Sequence, residues 1–583
     1  MADLTNARIA AAFEELADLY ELDGAVQYRV IAYRNAARTV RDTSVSVAQL
    51  ARDGRITELP GIGKTLEEKV LALDETGDIP SAIKLREKIP VGLISVMHLP
   101  GFGPKRAKRL HDEIGVDSLD ALRAAVEDGR LRALRGFGLK AEENLRRVLT
   151  EVDENGPARR VVLSRAIETA GRIVEALQAH PAADRVEAAG SLRRWADSVK
   201  DVDIIATSSD PPALAAALRE LPIVESAHSS GDAGARVTTH SGLKVDLKIV
   251  APDQFGNVLQ HFTGAKAHNV ALRESAVRRG LHVSEYGILD DATGETLRCA
   301  TEEEVYAALG LDWIPPELRE GRGELEAART GAHPGAGGLP ELVELGDLRG
   351  DLHCHTTTSD GRQTAEEMAL AARERGLEFL AITDHSATHG FGDHVTEDHL
   401  RARVEEIRAL NERLDGFELL IGTETNILPD GSPDYPDDLL ADLDWVIASV
   451  HTSFGMPRNE MTARMVAAVE HPLVDALGHP TGRKIERRRP YDVDIERVLE
   501  AAARAGTMIE INGSPDRRDL NDVHARAAAE AGVRILVNSD AHSAREFDHL
   551  RYGIATARRA WLTAGHVANT RTWKELRKLR KQR

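Results

Sequence analysis

The chain has 583 residues, too many for one hydrophobic core, so about three to five domains are expected. Its 42% hydrophobic and 29% charged residues are ordinary for a globular protein, and two cysteines, Cys299 and Cys354, exclude a disulfide framework. The sequence shows no leader segment and no apolar stretch of membrane-spanning length, so we expect a cytoplasmic protein without a membrane partner. The net charge of −19 argues mildly against a surface covered with DNA-binding residues, but it leaves local DNA binding open.

Residues 1–150 contain a repeated glycine pattern between short helical segments. A Gly-apolar-Gly hairpin that leads into a helix presents backbone N–H groups and a positive helix end to a phosphate, and neighbouring lysines add charge. A single copy could equally be a plain turn between helices, but three copies weaken that alternative. The copies are LPGIGK at 59–64, LPGFGPK at 99–105 and LRGFGLK at 134–140, the last with Arg135 in place of proline.

These hairpins resemble helix-hairpin-helix motifs, which hold the DNA backbone without reading its sequence. The resemblance implies that the first two copies supply the DNA-binding residues, which are Gly61, Gly63, Lys64, Gly101, Gly103 and Lys105.

From about residue 158 to 315, strand-like runs alternate with helical segments, which indicates an α/β fold. Asp201 and Asp203 alternate with apolar residues, so a strand carries both carboxylates on one face. Asp246 lies in another apolar run, where an unpaired charge is expensive. Such carboxylates repel one another unless cations lie between them, and two divalent ions there would serve phosphate transfer. A solvated edge strand with incidental acids is the weaker interpretation. The predicted strands are Val186–Ala189, Val202–Ala206 and Val245–Val250.

Gly190-Ser191, the Asp201-x-Asp203 pair and the later Asp246 together resemble the palm of family X DNA polymerases, within the polymerase-beta-like nucleotidyltransferases. The resemblance implies that the three aspartates are the catalytic residues and bind Mg²⁺. The residues that it implies for binding the triphosphate are Gly190, Ser191 and Arg194.

The segment HFTGAKAHN at 261–269 resembles the thumb motif of the same family. The resemblance implies that Gly264 and Asn269 contact the incoming nucleotide, with Asn269 at its minor-groove edge, and that Arg273 lies near the template. The aromatic pair Tyr-Phe of vertebrate members reads His261-Phe262 here.

Lys69 matches the family's lysine that forms a Schiff base with a 5′-deoxyribose phosphate, so it is the candidate lyase residue. Asn35 and Thr65 stand where the family has supporting lysines.

The second half of the chain follows a segment rich in glycine and proline, Gly331–Pro340, which is predicted to be a linker. Beyond it, apolar runs alternate with helical ones, which predicts a parallel α/β barrel or sheet with its chemistry at the C-terminal ends of the strands. These runs are Phe379–Ile382, Leu419–Gly422, Trp445–Val450, Ala476–Leu477, Met508–Ile511 and Ile535–Val537. The basic tail, Arg571–Arg583, fits either a DNA contact or a solvated chain end.

Nitrogen- and oxygen-bearing side chains lie where these runs end. His353 and His355 flank Cys354, so a strand places both imidazoles on one side and the thiol on the other. A lone His-x-His is often structural, but here seven more candidate ligands follow. Without a thiolate, such a set suits two or three ions such as Mn²⁺, Zn²⁺ or Fe. The nine residues are His353, His355, Asp360, His385, Glu424, His451, His479, Asp540 and His542.

This set resembles that of the polymerase-and-histidinol-phosphatase (PHP) family, which implies a distorted seven-stranded α/β barrel that hydrolyses phosphate esters. Family members act on phosphomonoesters or, when attached to polymerases, on DNA at 3′ ends or abasic sites. The resemblances follow one another in the order found in bacterial and archaeal family X polymerases.

The sequence therefore predicts a multidomain DNA repair polymerase that fills short gaps and trims 3′ ends. Its expected partners are gapped or nicked DNA and dNTPs, and we expect a nucleoid-associated monomer. Two alternatives are a phosphatase of small phosphomonoesters fused to a polymerase and a non-catalytic scaffold that binds DNA ends. The predicted parts are a helical DNA-binding domain (1–80), helix-hairpin-helix fingers (81–155), an α/β nucleotidyltransferase palm (156–252), a thumb (253–320), a linker (321–345) and a PHP barrel (346–583).

Overall fold

The computed structural model describes residues 4–43, 45–99, 102–134, 160–231, 233–329, 338–388 and 395–581, together with Glu142, Leu145, Arg146 and Leu149. Within these ranges, no helix combines the length and the apolar character that crossing a membrane requires. The chain divides into two compact units. The first comprises residues 1–161, 168–187 and 200–249, and the second comprises 162–167, 188–199 and 250–583.

The first unit begins with short helices that share one apolar core, as the spacing of the apolar residues predicts. Phe13 and Leu16 are fully buried in it, and the side chain of Thr5 accepts from the backbone N–H of Arg8 to cap the first helix. The helices are Asn6–Leu22, Gln27–Asp42, Val47–Arg52, Lys64–Thr76, Pro80–Arg86, Gly92–Met97, Pro104–Ile114 and Leu119–Glu127.

The first unit also contains a five-stranded sheet in the order β2-β4-β7-β6-β5. β4 and β7 are parallel, and β6 runs antiparallel to β7. The buried residues of β4 and β7 are mostly the apolar partners of the alternating carboxylates, as a half-buried strand requires. The strands of this sheet are β2 (Ala183–Ala188), β4 (Asp201–Ser208), β5 (Val224–Gly231), β6 (Gly234–Thr239) and β7 (Lys244–Ile249), and helix Pro211–Glu220 belongs to the same unit. The short strand β3 (Ser198–Val199) belongs to the second unit, and β1 (Val161–Val162) and helix Leu163–Gln178 have residues in the ranges of both units.

The second unit contains a helical region with a small antiparallel sheet. Its core includes Tyr306 and Leu272, and the buried Glu302 pairs with both Arg319 and Arg193. Its strands are β8 (Leu281–Ser284), β9 (Gly287–Asp290) and β10 (Thr296–Leu297), and its helices are Gly190–Arg193, Phe255–Thr263, Lys266–Val277, Glu302–Ala308 and Glu324–Ala327.

The rest of the second unit is the predicted barrel. Seven parallel strands follow one another in chain order, and a bridge between Cys354 and Ala541 joins the first strand to the segment just after the last. Nearly every residue of these strands is buried, which explains their short, continuously apolar runs. The strands are β11 (Gly350–Cys354), β12 (Phe379–Ile382), β13 (Glu418–Asn426), β14 (Trp445–Ser449), β15 (Ala476–Leu477), β16 (Met508–Asn512) and β17 (Ile535–Asn538).

The helices of this region alternate with the strands, as a barrel of βα units requires. They are Ala365–Glu374, Glu397–Asn411, Asp437–Ala441, Arg458–Glu470, Ile495–Ala505, Asp522–Glu530, Leu550–Arg559 and Trp573–Leu576.

Parts of the predicted linker, 321–345, pack against neighbouring residues where the structure describes them. Glu324 is fully buried and accepts from a ring nitrogen of His268 at 2.7 Å, and Val343 donates to the carbonyl of Leu562. A buried side-chain hydrogen bond and a backbone hydrogen bond fix these residues against their neighbours. Of the predicted linker stretch Gly331–Pro340, residues 331–337 lie outside the described residues.

The basic tail packs on the barrel over its described length. Arg580 forms two hydrogen bonds to the buried carboxylate of Asp475, and the amine of Lys581 donates to the carbonyls of Val469 and His471. These contacts give the tail a structural role. The sequence pattern had left open whether the tail contacts DNA or is a solvated chain end.

The ion pair between Glu302 and Arg319 is expected to stabilise the second unit. Burial works to raise the pKa of Glu302, but Arg319 and Arg193 lower it to about 2. Replacing Glu302 by alanine leaves the fully buried Arg319 uncompensated, which costs about 3–5 kcal/mol. We expect a clearly lower thermal unfolding temperature for Glu302→Ala. Glu303→Ala, in the same helical turn but exposed, serves as the control. If both substitutions lowered the unfolding temperature equally, the ion pair would not be the source of the stability.

Candidate metal centres

The structure gathers all nine predicted histidine, aspartate and glutamate residues of the C-terminal region at one end of the barrel. They form four overlapping groups whose ligand atoms lie within 4.8 Å of one another. The groups are His355, Asp360, His385 and His542; His353, His355 and Asp540; His353, Glu424 and His479; and His385, Glu424 and His451. Several residues belong to two groups, as expected for a centre in which neighbouring metal ions share ligands. Cys354, by contrast, turns its thiol to the carbonyl of Ala381 at 3.3 Å.

Glu424 lies at the middle of this cluster and is fully buried. Its two carboxylate oxygens lie between 2.8 and 3.7 Å from nitrogens of five histidines. Burial works to raise the pKa of Glu424, but the surrounding histidines hold it well below its usual range. One carboxylate cannot form good hydrogen bonds with five imidazoles at once, so the arrangement fits ligands around shared cations. The histidines are His353, His355, His385, His451 and His479.

Buried atoms without hydrogen bonds provide an independent test of metal binding. Nε2 of His353, Nδ1 of His355 and both oxygens of Glu424 are buried and have no hydrogen-bond partner. Leaving such groups unsatisfied costs about 1–3 kcal/mol each, so native proteins rarely contain several together. Their donor set of imidazole nitrogen and carboxylate oxygen fits divalent ions such as Zn²⁺ and Mn²⁺.

Histidines in the cluster have opposed pKa shifts. Burial works against protonation of His385, but Glu424 and Asp360 raise its pKa to about 10. Burial and the charge of Arg517 lower the pKa of His479 to about 4. Strong shifts in both directions within one cavity mark a place where charge is concentrated for chemistry.

Sequence reasoning missed the carboxylate that orients His353. Glu510 Oε1 lies 2.8 Å from Nδ1 of His353, which leaves Nε2 of the imidazole facing the cluster. Glu510 also accepts from the backbone N–H of His479 and from the side chains of Asn512 and Asn538. Such outer carboxylates fix the orientation and tautomer of metal-binding histidines. A glutamate within the otherwise apolar run MIEI was the available signal.

A second missed carboxylate, Asp384, holds the loop that carries Asp360. It accepts from the backbone and hydroxyl of Thr356 and from the hydroxyl of Ser359, all within 2.7 Å, and it pairs with Arg403 at 3.0 Å. Asp384 precedes His385 in the sequence, but only the fold reveals that it faces the opposite loop.

The predicted polymerase carboxylates lie on neighbouring strands of the first unit. Asp203 on β4 is directly opposite Asp246 on β7, and Asp201 precedes Asp203 on the same strand face. Arg236 on β6, which sequence reasoning also missed, donates from Nε to Asp246 Oδ2 at 2.9 Å. Among the residues that the structure describes, these three carboxylates do not form a ligand group as compact as those of the barrel.

The predicted nucleotide-binding residues of the second unit form a connected network. Asn269 donates to the carbonyls of His261 and Gly264, which fixes the turn between two helices. A side chain at Gly264 would meet Asn269 Oδ1 at 2.5 Å, so the glycine is required by this close approach. Arg273 lies 3.3 Å from the His261 ring.

Gly190 and Ser191 open the short helix Gly190–Arg193. Arg194 follows and pairs with Glu320 at 3.0 Å, and it donates to the carbonyl of Thr263. Arg194 is therefore held by protein partners in this structure.

The first hairpin places Gly61 at a positive φ of 75° and Gly63 at the N-cap of helix Lys64–Thr76. In the second, Gly103 caps helix Pro104–Ile114 with a φ of 101°, and Lys105 is exposed. Gly101 and the third hairpin beyond Leu134 lie outside the described residues.

The predicted lyase residue, Lys69, is half-buried. Its amine donates to the hydroxyl of Ser81 at 3.0 Å and lies 5.9 Å from the ring centre of Tyr33. Burial lowers the pKa of Lys69, which favours the neutral amine. Asn35 and Thr65, which stand where the family has supporting lysines, are both exposed.

Comparisons with known proteins match the same regions. A helix-hairpin-helix domain matches residues 4–79, a SAM-like helix-hairpin-helix tandem matches 93–151, a DNA polymerase beta thumb matches 258–320, and a PHP domain matches 351–514. Over 565 residues the chain is 36% identical to the Bacillus subtilis protein named DNA polymerase/3′-5′ exonuclease PolX, with 97% of each chain covered.

Shorter matches point to a second group of relatives. A probable phosphatase of Caldanaerobacter subterraneus is 37% identical over 203 residues, which cover 33% of this chain and 75% of that protein. A probable phosphatase of Photobacterium profundum is 33% identical over 206 residues, which cover 34% and 79%.

Glu510 is predicted to support metal binding through His353. In Glu510→Gln the loss of charge weakens the hydrogen bond to His353 Nδ1, and such changes typically reduce metal affinity about 10–100-fold. We expect a correspondingly lower affinity for Mn²⁺ or Zn²⁺ by competition with a chelating dye. The exposed Glu500→Gln, on the helix between β15 and β16, should bind metal like the wild type. Unchanged affinity in Glu510→Gln would show that Glu510 does not act through the metal centre.

Proposed function

Because the chain belongs to the family X DNA polymerases that carry a C-terminal PHP domain, we propose that it extends DNA 3′ ends across short gaps and, at a separate centre, removes nucleotides from 3′ ends. The observation that carries the hydrolytic part is the convergence of nine ligand residues at the barrel mouth. The polymerase part rests on the paired carboxylates of β4 and β7 and on the PolX relative, which matches nearly the whole chain.

We propose specific tasks for the polymerase residues. Asp201, Asp203 and Asp246 hold two Mg²⁺ ions, while Gly190, Ser191 and Arg194 hold the triphosphate of a dNTP. Gly264, Asn269 and Arg273 contact the incoming nucleotide and the template. Arg236 orients the Asp246 carboxylate through its 2.9 Å hydrogen bond. Accepting a triphosphate requires Arg194 to exchange its partner Glu320 for phosphate oxygens.

At the barrel, the nine residues hold two or three ions of Mn²⁺, Zn²⁺ or Fe. Divalent ions in either centre supply Lewis acidity toward phosphate oxygens when bound. Glu510 keeps His353 in the tautomer that presents Nε2, and Asp384 holds the loop that delivers Asp360. The closely packed walls, with His353, His355 and Glu424 fully buried, restrict bulk water around the reacting phosphate.

The helix-hairpin-helix region supplies the grip on gapped or nicked DNA in this proposal. Backbone N–H groups at Gly61, Gly63, Gly101 and Gly103, with the amines of Lys64 and Lys105, would contact phosphates on both sides of a gap.

Action on DNA gaps also implies a nucleoid-associated, cytoplasmic location, and a protein that meets one gap at a time needs only a monomer. Abasic-site cleavage by the barrel and Schiff-base chemistry at Lys69 extend the same proposal to base excision repair.

A second candidate function is hydrolysis of small phosphomonoesters at the barrel. The relatives named as probable phosphatases favour it, since each aligns with about a third of this chain. The helix-hairpin-helix matches favour DNA as the substrate, because a phosphatase of small metabolites gains nothing from a grip on DNA. A non-catalytic scaffold fits less well, because it has no use for a buried cluster of nine ligands.

Two substitutions are expected to separate the two activities. Asp203→Ala should abolish extension of a gapped primer by dNTPs while 3′ trimming persists, and His355→Ala should do the reverse. The measurement is gel analysis of labelled gapped and 3′-blocked DNA with Mg²⁺ or Mn²⁺. Extension that survives Asp203→Ala would refute the polymerase assignment. Trimming that survives His355→Ala would refute the nuclease assignment, and hydrolysis of phosphomonoesters but not DNA would support the second candidate function.

The hairpin lysines are expected to contribute salt-dependent DNA binding. Each phosphate contact that is lost should reduce the slope of log affinity against log salt by about 1, so Lys64→Ala combined with Lys105→Ala should reduce it by about 2. Fluorescence anisotropy with a gapped duplex measures this slope. Lys88→Ala, also exposed but distant from the hairpins in sequence, is the control. A slope unaltered in the double variant would show that these lysines do not contact DNA.

A further inference from the structure

One sector of the barrel mouth carries basic and aromatic side chains that the metal centre does not use. The loops after β14, β15 and β16 are neighbours because these strands are adjacent in the sheet. Lys484 and Arg488 bridge to each other in a tight hairpin after β15. The backbone N–H of Ile485 donates to the carbonyl of Asp516, which joins this hairpin to the loop after β16 that contains Arg517.

Arg517 is the member of this sector nearest to the metal ligands. Its Nε lies 3.6 Å from Oδ2 of Asp540, and its Nη1 is buried without a hydrogen-bond partner. A buried guanidinium nitrogen of this kind lacks an acceptor that water or protein would normally supply. Arginine presents a planar fork of donors that matches phosphate oxygens, so an incoming phosphate can provide the missing acceptor.

Two further cations reinforce Arg517. Burial, together with the charges of Arg517 and Arg488, lowers the pKa of Lys484, so the three groups lie within each other's field. The nearby carboxylate of Asp516 is engaged at 2.8 Å by Arg487. Within the described chain, neither Lys484 nor Arg488 forms an ion pair, and Arg488 directs Nε to the carbonyl of Gly482.

The basic side chains of this sector favour an anionic ligand. Lys484 and Arg488 form no ion pair within the described residues, and the 3.6 Å approach of Arg517 Nε to Asp540 leaves Nη1 of Arg517 without a hydrogen-bond partner. Basic side chains clustered in a recessed site attract a negatively charged substrate group.

The outer edge of the same sector is aromatic. Phe454, three residues after the ligand His451, is 37% exposed. The Arg488 guanidinium lies 4.5 Å from the centre of its ring, and Tyr491 stacks parallel to it at 5.7 Å. Exposed aromatic rings and arginine planes are the surfaces on which proteins stack unpaired nucleobases.

We propose that this sector is a nucleotide subsite of the barrel, in which Arg517 and Lys484 bind the phosphate of the 3′-terminal unit of a DNA strand and the Phe454–Arg488 pair receives its base. The inference rests on the proposed removal of nucleotides from 3′ ends and adds the residues that would hold the terminal nucleotide. Phosphate held by Arg517 lies directly beside Asp540 and therefore beside the metal ligands.

The test compares Arg517→Ala, Arg517→Lys and Phe454→Ala with wild type and with the exposed control Arg497→Ala. Steady-state KM and kcat are measured for a 3′-ended oligonucleotide and for p-nitrophenyl phosphate, and the affinity for dTMP is measured by calorimetry. Metal content of every variant is determined in parallel. We expect Arg517→Ala to raise KM for both substrates and to weaken dTMP binding about tenfold or more, because it removes a charge-assisted hydrogen bond, with partial recovery in Arg517→Lys.

Phe454→Ala should raise KM for the oligonucleotide and weaken dTMP binding while leaving p-nitrophenyl phosphate unaffected, since that ester carries no base. Unchanged KM and dTMP affinity in Arg517→Ala would overturn the proposal. Loss of metal with unaltered dTMP affinity would also overturn it, because Arg517 would then act only as a support for Asp540. If the wild type hydrolyses the aryl phosphate but not DNA, the proposed DNA substrate fails, and the dTMP measurements still decide the subsite.

Discussion

Glu424 sets the constraint on which the C-terminal region depends. A fully buried carboxylate lies 2.8–3.7 Å from nitrogens of five histidines, and its oxygens make no hydrogen bond. Protein groups alone cannot satisfy this arrangement, because imidazoles and a carboxylate at such distances need a common partner. Shared divalent ions would resolve it, since imidazole nitrogens and carboxylate oxygens are donors that such ions bind. The barrel brings the C-terminal ends of its strands together around Glu424.

The outer layer of the barrel mouth shows how the fold keeps such a centre ready. Glu510 accepts hydrogen bonds from His353, from the backbone of His479 and from two asparagines. A single carboxylate therefore orients the residues at the ends of two strands, β11 and β15. Asp384 does the same for the loop of Asp360. These residues bear charge in a dry interior, and each is compensated by several donors, as buried carboxylates require.

The adjacent residues Arg517 and Arg518, which follow β16, contact different parts of the second unit. Arg517 faces Asp540 at the barrel mouth, while the fully buried Arg518 donates to the carbonyl of Trp195 and pairs with Asp197. Asp197 follows Gly190 and Ser191 closely in the chain, and Arg483 also binds it at 2.7 Å. The proposed triphosphate segment is therefore anchored by residues of the PHP region, so the two proposed activities share structural support.

The sequence alone determined a large part of this protein. Strands were predicted from local signals, which are the period-two alternation at Asp201 and Asp203 and the separate apolar runs between Phe379 and Val537. The strands Phe379–Ile382 and Ala476–Leu477 lie where they were predicted. The nine candidate ligands of the barrel were also readable, because each follows an apolar run at its C-terminal end. Within the predicted linker, 321–345, nothing in the sequence indicates that Glu324 is buried against His268.

Only the tertiary structure decided which charges meet. The contacts of Glu510 with His353, Arg236 with Asp246 and Arg517 with Asp540 join residues on different strands and loops. Such pairing depends on strand order and register, which a single sequence does not specify, and the burial that gives these contacts their strength arises only when the strands pack. The sequence named the candidate ligands, and the fold supplied the partners that hold them in place.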